Sequence, residues 1–152
     1  MSTFEIDVKP LPAVRLASLS QTVASQPEVG PVVGPLFDRV EAALDAANAE
    51  HGLPLAEYDM DENGVRITVG FEYDGPALDG VEIVELPAAD SAFTGIHRGI
   101  MAAIDESWQA LNEAITGQGA RPHGACREVY LESESDDQAD WVTELQQPVV
   151  TV

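Results

Sequence analysis

The chemistry in this chain is concentrated in Cys126-Arg127-Glu128-Val129-Tyr130-Leu131. Read as a strand, the stretch alternates. Arg127, Val129 and Leu131 point one way and Glu128 and Tyr130 the other, so a carboxylate and a phenol share one face. Val129, Tyr130 and Leu131 are good strand formers, and Glu128 is the exception. A glutamate on such a face normally meets water in a half-wet sheet. From this stretch alone two readings stand: a solvated surface pair, or a desolvated carboxylate held against a ring.

The remaining candidates are read against equally plain alternatives. Tyr58 and Tyr130 suit the walls of a cleft, or half-buried sheet surface with the hydroxyl in water. Trp108 falls on the apolar stripe of a helix, a position that serves a core as readily as a ligand. Phe71 and Tyr73 are weaker cleft candidates, because the same strand face can be plain core. His97 precedes a helix with no Ser, Cys or second His at useful spacing, which favours a structural role. The acidic run Glu132, Glu134, Asp136, Asp137 and Asp140 lacks the spacing and central Gly of a calcium loop and reads as a solvated hairpin. Cys126 has no partner for a disulfide or a zinc site. There is no nucleophile elbow, phosphate loop or metal cluster, so no metal or cofactor is expected. An enzyme would have to use Glu128 as general base or electrostatic partner, with Tyr130 or Tyr58 holding a water or leaving group.

The elements that must position these residues follow from periodicity. Glu5 to Lys9 and Val14 to Thr22 read as strands, the first stopped by Pro10 and Pro12. Val33, Leu36, Phe37, Val40, Leu44 and Ala47 recur at helical spacing, predicting a helix from about Val32 to His51 that ends at Gly52 and Pro54. Leu55 to Tyr58 is a short strand. Asn63-Gly64 is a hairpin turn leading into Val65 to Tyr73, whose inner face is Val65, Ile67, Val69, Phe71 and Tyr73. After turn residues from Asp74 to Gly80 the order begins again, with strands at Val81 to Leu86 and Ser91 to His97. A second helix then runs to about Thr116 on Met101, Ile104, Trp108, Leu111 and Ile115. A Gly/Pro loop from Gly117 to Gly124 leads into the Cys126 strand, and Trp141 to Val149 is a last strand broken by Pro148.

The chain therefore reads as α+β, two ββαββ halves at about 4–74 and 81–149 within one domain, an antiparallel sheet with both helices on one side. Laying Ala56-Glu57-Tyr58-Asp59 over Glu128-Val129-Tyr130-Leu131 matches Tyr58 to Tyr130 and puts Ala56 opposite Glu128. A pseudo-twofold relation would line a groove with both halves and leave Glu128 as its one acid.

Composition narrows the function classes. With 152 residues and 45% hydrophobic content the chain can build a real core. Its 27 acidic against 7 basic residues give a net charge of -20, and Lys9 is its one lysine, so direct nucleic-acid binding is not expected. The acidity suits a solvated surface, as in a high-salt cytoplasm, or a field that favours cationic ligands and basic partners. No stretch is long and apolar enough to span a membrane, and a cytoplasmic protein is expected.

The order and spacing of several segments resemble the GyrI-like small-molecule-binding domains, the effector-binding module of AraC- and MerR-type multidrug-sensing regulators, with a SOUL-like fold. The segments are His97-Arg98-Gly99 leading into the second helix, Trp108 within it, the loop from Gly117 to Gly124, and Arg127-Glu128-Val129-Tyr130 after it. Tyr58 and the strand from Val65 to Phe71 complete the likeness, which runs from about Phe4 to Val149. The resemblance implies a cleft for hydrophobic, often cationic, aromatic compounds, faced by a buried glutamate at the position of Glu128, with Tyr130, Tyr58, Trp108 and Phe71 about it. It leaves three functions open: ligand sensing or sequestration, hydrolysis of reactive cyclopropane-bearing compounds, and modulation of DNA gyrase. A regulator or gyrase would then be the protein partner. No helix-turn-helix segment accompanies the module, so a free-standing binding domain is expected.

Overall fold

The computed structural model describes residues 4–151. In chain order these form β1 (Glu5–Leu11), β2 (Val14–Val23), α1 (Val29–Ala46), β3 (Pro54–Asp61), β4 (Gly64–Glu72), β5 (Glu82–Leu86), β6 (Ala89–Arg98), α2 (Ile104–Gly117), β7 (Ala120–Pro122), β8 (Cys126–Glu132) and β9 (Val142–Thr151). The architecture is α+β with antiparallel strands and two helices, as the sequence predicts. Among the described residues no helix is long and apolar enough to cross a membrane.

The strands sort into two compact units that do not follow the two sequence halves. One is Ala13–Pro87, and the other joins residues 4–12 to 88–151. β1 pairs with β6 (Ile6 opposite Gly95), and β5 pairs with β2 (Leu16 opposite Val84), so neither forms a hairpin with the strand it adjoins in sequence. The links explain why. β1 ends in Leu11-Pro12-Ala13 and β5 in Leu86-Pro87-Ala88, the same tripeptide at both places. A two-residue hairpin needs positive φ, which proline's ring forbids, and neither link offers Gly or Asn. Both leucines are buried at the ends of their strands.

In the Ala13–Pro87 unit the strand order is β3-β4-β2-β5. Gly64 provides the β3–β4 turn at φ 135°, and α1 packs on β4 and β2 through Leu36, Val40 and Leu44. The helix ends earlier than the apolar spacing suggests. Asn48 adopts φ 49°, and the Ala49 and Asn48 amides donate to the Leu44 and Asp45 carbonyls at 2.9 and 3.1 Å. This left-handed cap stops the helix before Gly52 is reached. Tyr73 clamps the loop after β4, its hydroxyl donating to the Pro76 carbonyl at 2.8 Å while Arg15 lies over its ring.

In the other unit the order is β1-β6-β9-β8, with β7 added against the end of β9. Its core is Phe93, Leu111, Ile115 and Leu145, with Phe4 and Trp108 packed against it. Phe4 lies where a side chain on Gly95 would otherwise stand. β9 runs through Pro148 instead of breaking there. The Pro148 carbonyl accepts from the His123 amide at 2.8 Å. Pro10 is absorbed by a register shift in β1.

Candidate functional site

β8 carries the site. From Cys126 to Tyr130 every residue is buried, and exposure begins only at Leu131. The half-wet strand that would leave Glu128 in water is therefore not what forms. Glu128 stands opposite Leu145 and Tyr130 opposite Thr143 on β9. Leu145 belongs to the core that α2 covers, so Glu128 and Tyr130 occupy the helix-facing side of the sheet.

Glu128 is 6% exposed, and both its oxygens accept hydrogen bonds from aromatic side chains. The Tyr130 hydroxyl donates to Oε1 at 2.7 Å, and the Trp108 indole Nε1–H donates to Oε2 at 2.8 Å. Short bonds to an ionised acceptor are about twice as strong as neutral ones and offset part of the cost of burying the charge. Trp108 is half-buried. It packs on the apolar core and also reaches Glu128 with its nitrogen, so a core position does not keep it from the carboxylate. The three side chains make a carboxylate with two rings at its oxygens, a group suited to an aromatic cation.

Tyr58 and Phe71 belong to the Ala13–Pro87 unit. Tyr58 is half-buried on β3, in register with Ile67 of β4. Phe71 is buried and makes edge contact with Phe37 of α1, ring centres 5.8 Å apart, with His51 at 4.6 Å on another side.

His97 did have a serine within reach. Ser107, ten positions on, places Oγ 2.7 Å from Nδ1, because Gly99 at φ 109° turns the chain back from β6 into α2. Nε2 lies 2.9 Å from the Ile100 carbonyl, which can only accept, so Nε2 carries a hydrogen and Nδ1 pairs with the serine hydroxyl. His97 is 4% exposed and ties the start of α2 to β6. Ser107→Ala, which strands Nδ1 in a buried place, is expected to cost about 1 to 2 kcal/mol of stability. Urea unfolding measures it, and an unchanged midpoint would mean that this bond fastens nothing.

Two further residues escaped the sequence reading. Arg127 is 2% exposed on the face of β8 opposite Glu128, although alternation marks only its direction and cannot reveal that this face is also covered. Ser107 was missed because the turn at Gly99 that brings it back to His97 does not show in the residue spacing. In the acidic loop Asp137 accepts from the Ala139 amide and Asp140 from Ser135, so these carboxylates order a turn.

A family model for the GyrI-like small-molecule-binding domain matches residues 4–150. The chain belongs to that family. Solved structures share the fold of this GyrI-like domain at low sequence identity. The crystal structure of the EcmrR C-terminal domain is 20% identical with a TM-score of 0.74, covering 99% of this chain and all of that one. In the cryo-EM structure of EcmrR on DNA, also 20% identical with a TM-score of 0.76, the match covers 98% of this chain and 58% of that one. SAV2435 bound to tetraphenylphosphonium is 13% identical with a TM-score of 0.68, covering 96% and 94% of the two chains. A hydrolase from Listeria innocua is 12% identical with a TM-score of 0.63, covering 96% and 92%. No curated protein matches this chain.

Proposed function

We propose that this GyrI-like domain captures hydrophobic, aromatic cations, with Glu128 supplying the charge and Trp108 and Tyr130 the rings, and holds them unchanged for sequestration or for presentation to a partner. The observation that carries this reading is the buried Glu128 carboxylate with an aromatic donor on each oxygen. A charge kept in such a place attracts an opposite charge whose own hydration is weak. Rings add stacking and cation-π attraction without imposing one ligand shape. The net charge of -20 draws cations toward the protein before contact. SAV2435, which shares the fold, was solved with a compound of this class, tetraphenylphosphonium.

Tetraphenylphosphonium and the neutral triphenylphosphine oxide, which keeps three of the four phenyl rings on phosphorus, separate charge from aromatic contact. Calorimetric titration should give the cation at least about tenfold tighter binding, the fraction of an ion-pair and cation-π gain expected in a partly desolvated site. Mass spectrometry after long incubation should return the cation intact. Equal affinities would remove the carboxylate from recognition, and a water-added product would turn the reading toward hydrolysis.

A further inference from the structure

β1 is the outermost strand of its unit, pairing with β6 and, among the described residues, with no strand on its other side. Half of its backbone N–H and C=O groups therefore point away from the sheet, a template on which another strand can form. Ile6 and Val8 share one side of β1, 39% and 47% exposed, and stand opposite Gly95 and Phe93. Phe93 belongs to the core that α2 covers, so the apolar side of the sheet runs out past its cover onto a free edge.

The sequence of β1 is close to self-complementary. Laid antiparallel to a second copy and centred on Asp7, it sets Ile6 opposite Val8 and Glu5 opposite Lys9 on both sides of the twofold. One position opposes the match. At the centre the two Asp7 carboxylates would face each other, and like charges directly opposite are destabilising. Asp7 also acts along its own chain, where Oδ1 accepts from the Val8 amide at 2.8 Å. An amide held by its neighbour's carboxylate is not the one bonded to β6, so Val8 donates outward and its donor is already occupied. Pro10, further along, has no N–H to offer.

We infer that Asp7 guards the β1 edge against pairing with a second copy of this chain. Its charge repels its counterpart at the centre of the pairing, and its carboxylate takes the Val8 donor that the pairing needs. The guard lets an apolar edge stay exposed without self-association, and it owes nothing to Glu128. The net charge of -20 also keeps copies apart, but from every side, whereas Asp7 acts on one edge in one register.

Sedimentation equilibrium up to millimolar protein tests the guard. Asp7→Asn keeps an oxygen for the Val8 amide and removes only the charge, so self-association should tighten about fivefold. Asp7→Val removes the charge and frees both Val8 donors, and should tighten it about fiftyfold or more. Adding Val8→Lys to Asp7→Val, which replaces the residue opposite Ile6, should return the parent's value. Asp38→Val, at an exposed position of α1, makes the same change in charge and apolarity and should leave self-association unaltered. Asp7 and Val8 are exposed, so these variants should keep the fold, which circular dichroism verifies. An Asp7→Val protein that sediments like the parent overturns the inference, as does association that survives Val8→Lys or is matched by Asp38→Val.

Discussion

Glu128→Gln is expected to weaken tetraphenylphosphonium binding about thirtyfold, close to 2 kcal/mol, the lower end of what losing one partner of a buried charge pair costs. Triphenylphosphine oxide should change by less than about threefold, since it presents three of the four phenyl rings without the charge. The substitution suits the site. A glutamine oxygen can still accept from the Trp108 indole, and its amide can donate to the Tyr130 hydroxyl, which turns to accept. Fold and stability should therefore survive, and the urea midpoint of the variant verifies this. Calorimetric titrations of both ligands against both proteins decide the matter. A parallel loss for cation and neutral compound would mean that Glu128 shapes the site and does not recognise charge.

Gly70→Ala should be strongly destabilising to the Ala13–Pro87 unit. Gly70 is buried on β4 opposite Ser18 of β2, and a Cβ there would lie 2.2 Å from the Ala17 carbonyl oxygen and 3.0 Å from the Ser18 Cβ. The obstacle is backbone of a paired strand, which cannot swing aside as a side-chain tip can. A loss of about 3 kcal/mol is expected, at the upper end for overpacking, because the β2–β4 ladder must open to admit the methyl. Gly117→Ala supplies the opposite sign. It ends α2 with nothing within 4 Å of a built Cβ, and replacing a helical glycine there should stabilise by about 0.5 kcal/mol. Denaturant unfolding of the two variants measures both. A Gly70→Ala midpoint at or above that of the parent would mean the strands separate there more easily than their pairing implies.

Much of the architecture is legible in local patterns. The alternation from Val65 to Phe71, the Asn63-Gly64 turn and the two helical stripes are properties of neighbouring residues, and each element appears where its pattern lies. Helix ends were less legible, since Asn48 ends α1 through a left-handed conformation that competes with the later glycine. The assignment of strands to units was harder still. Repeating strand-strand-helix-strand-strand suggested self-contained halves, whereas the two Leu-Pro-Ala links deny a tight turn and send β1 and β5 to other partners.

Alternation alone determined that Glu128 and Tyr130 share a face, because side-chain direction along a strand has period two whatever surrounds it. It was silent on solvent. Tertiary structure decided that both faces of β8 are covered down to Tyr130, and it brought the Trp108 nitrogen from twenty positions earlier to within 2.8 Å of the carboxylate. Coverage and cross-chain contact depend on which elements stack, and stacking is a property of the whole chain that no short stretch encodes.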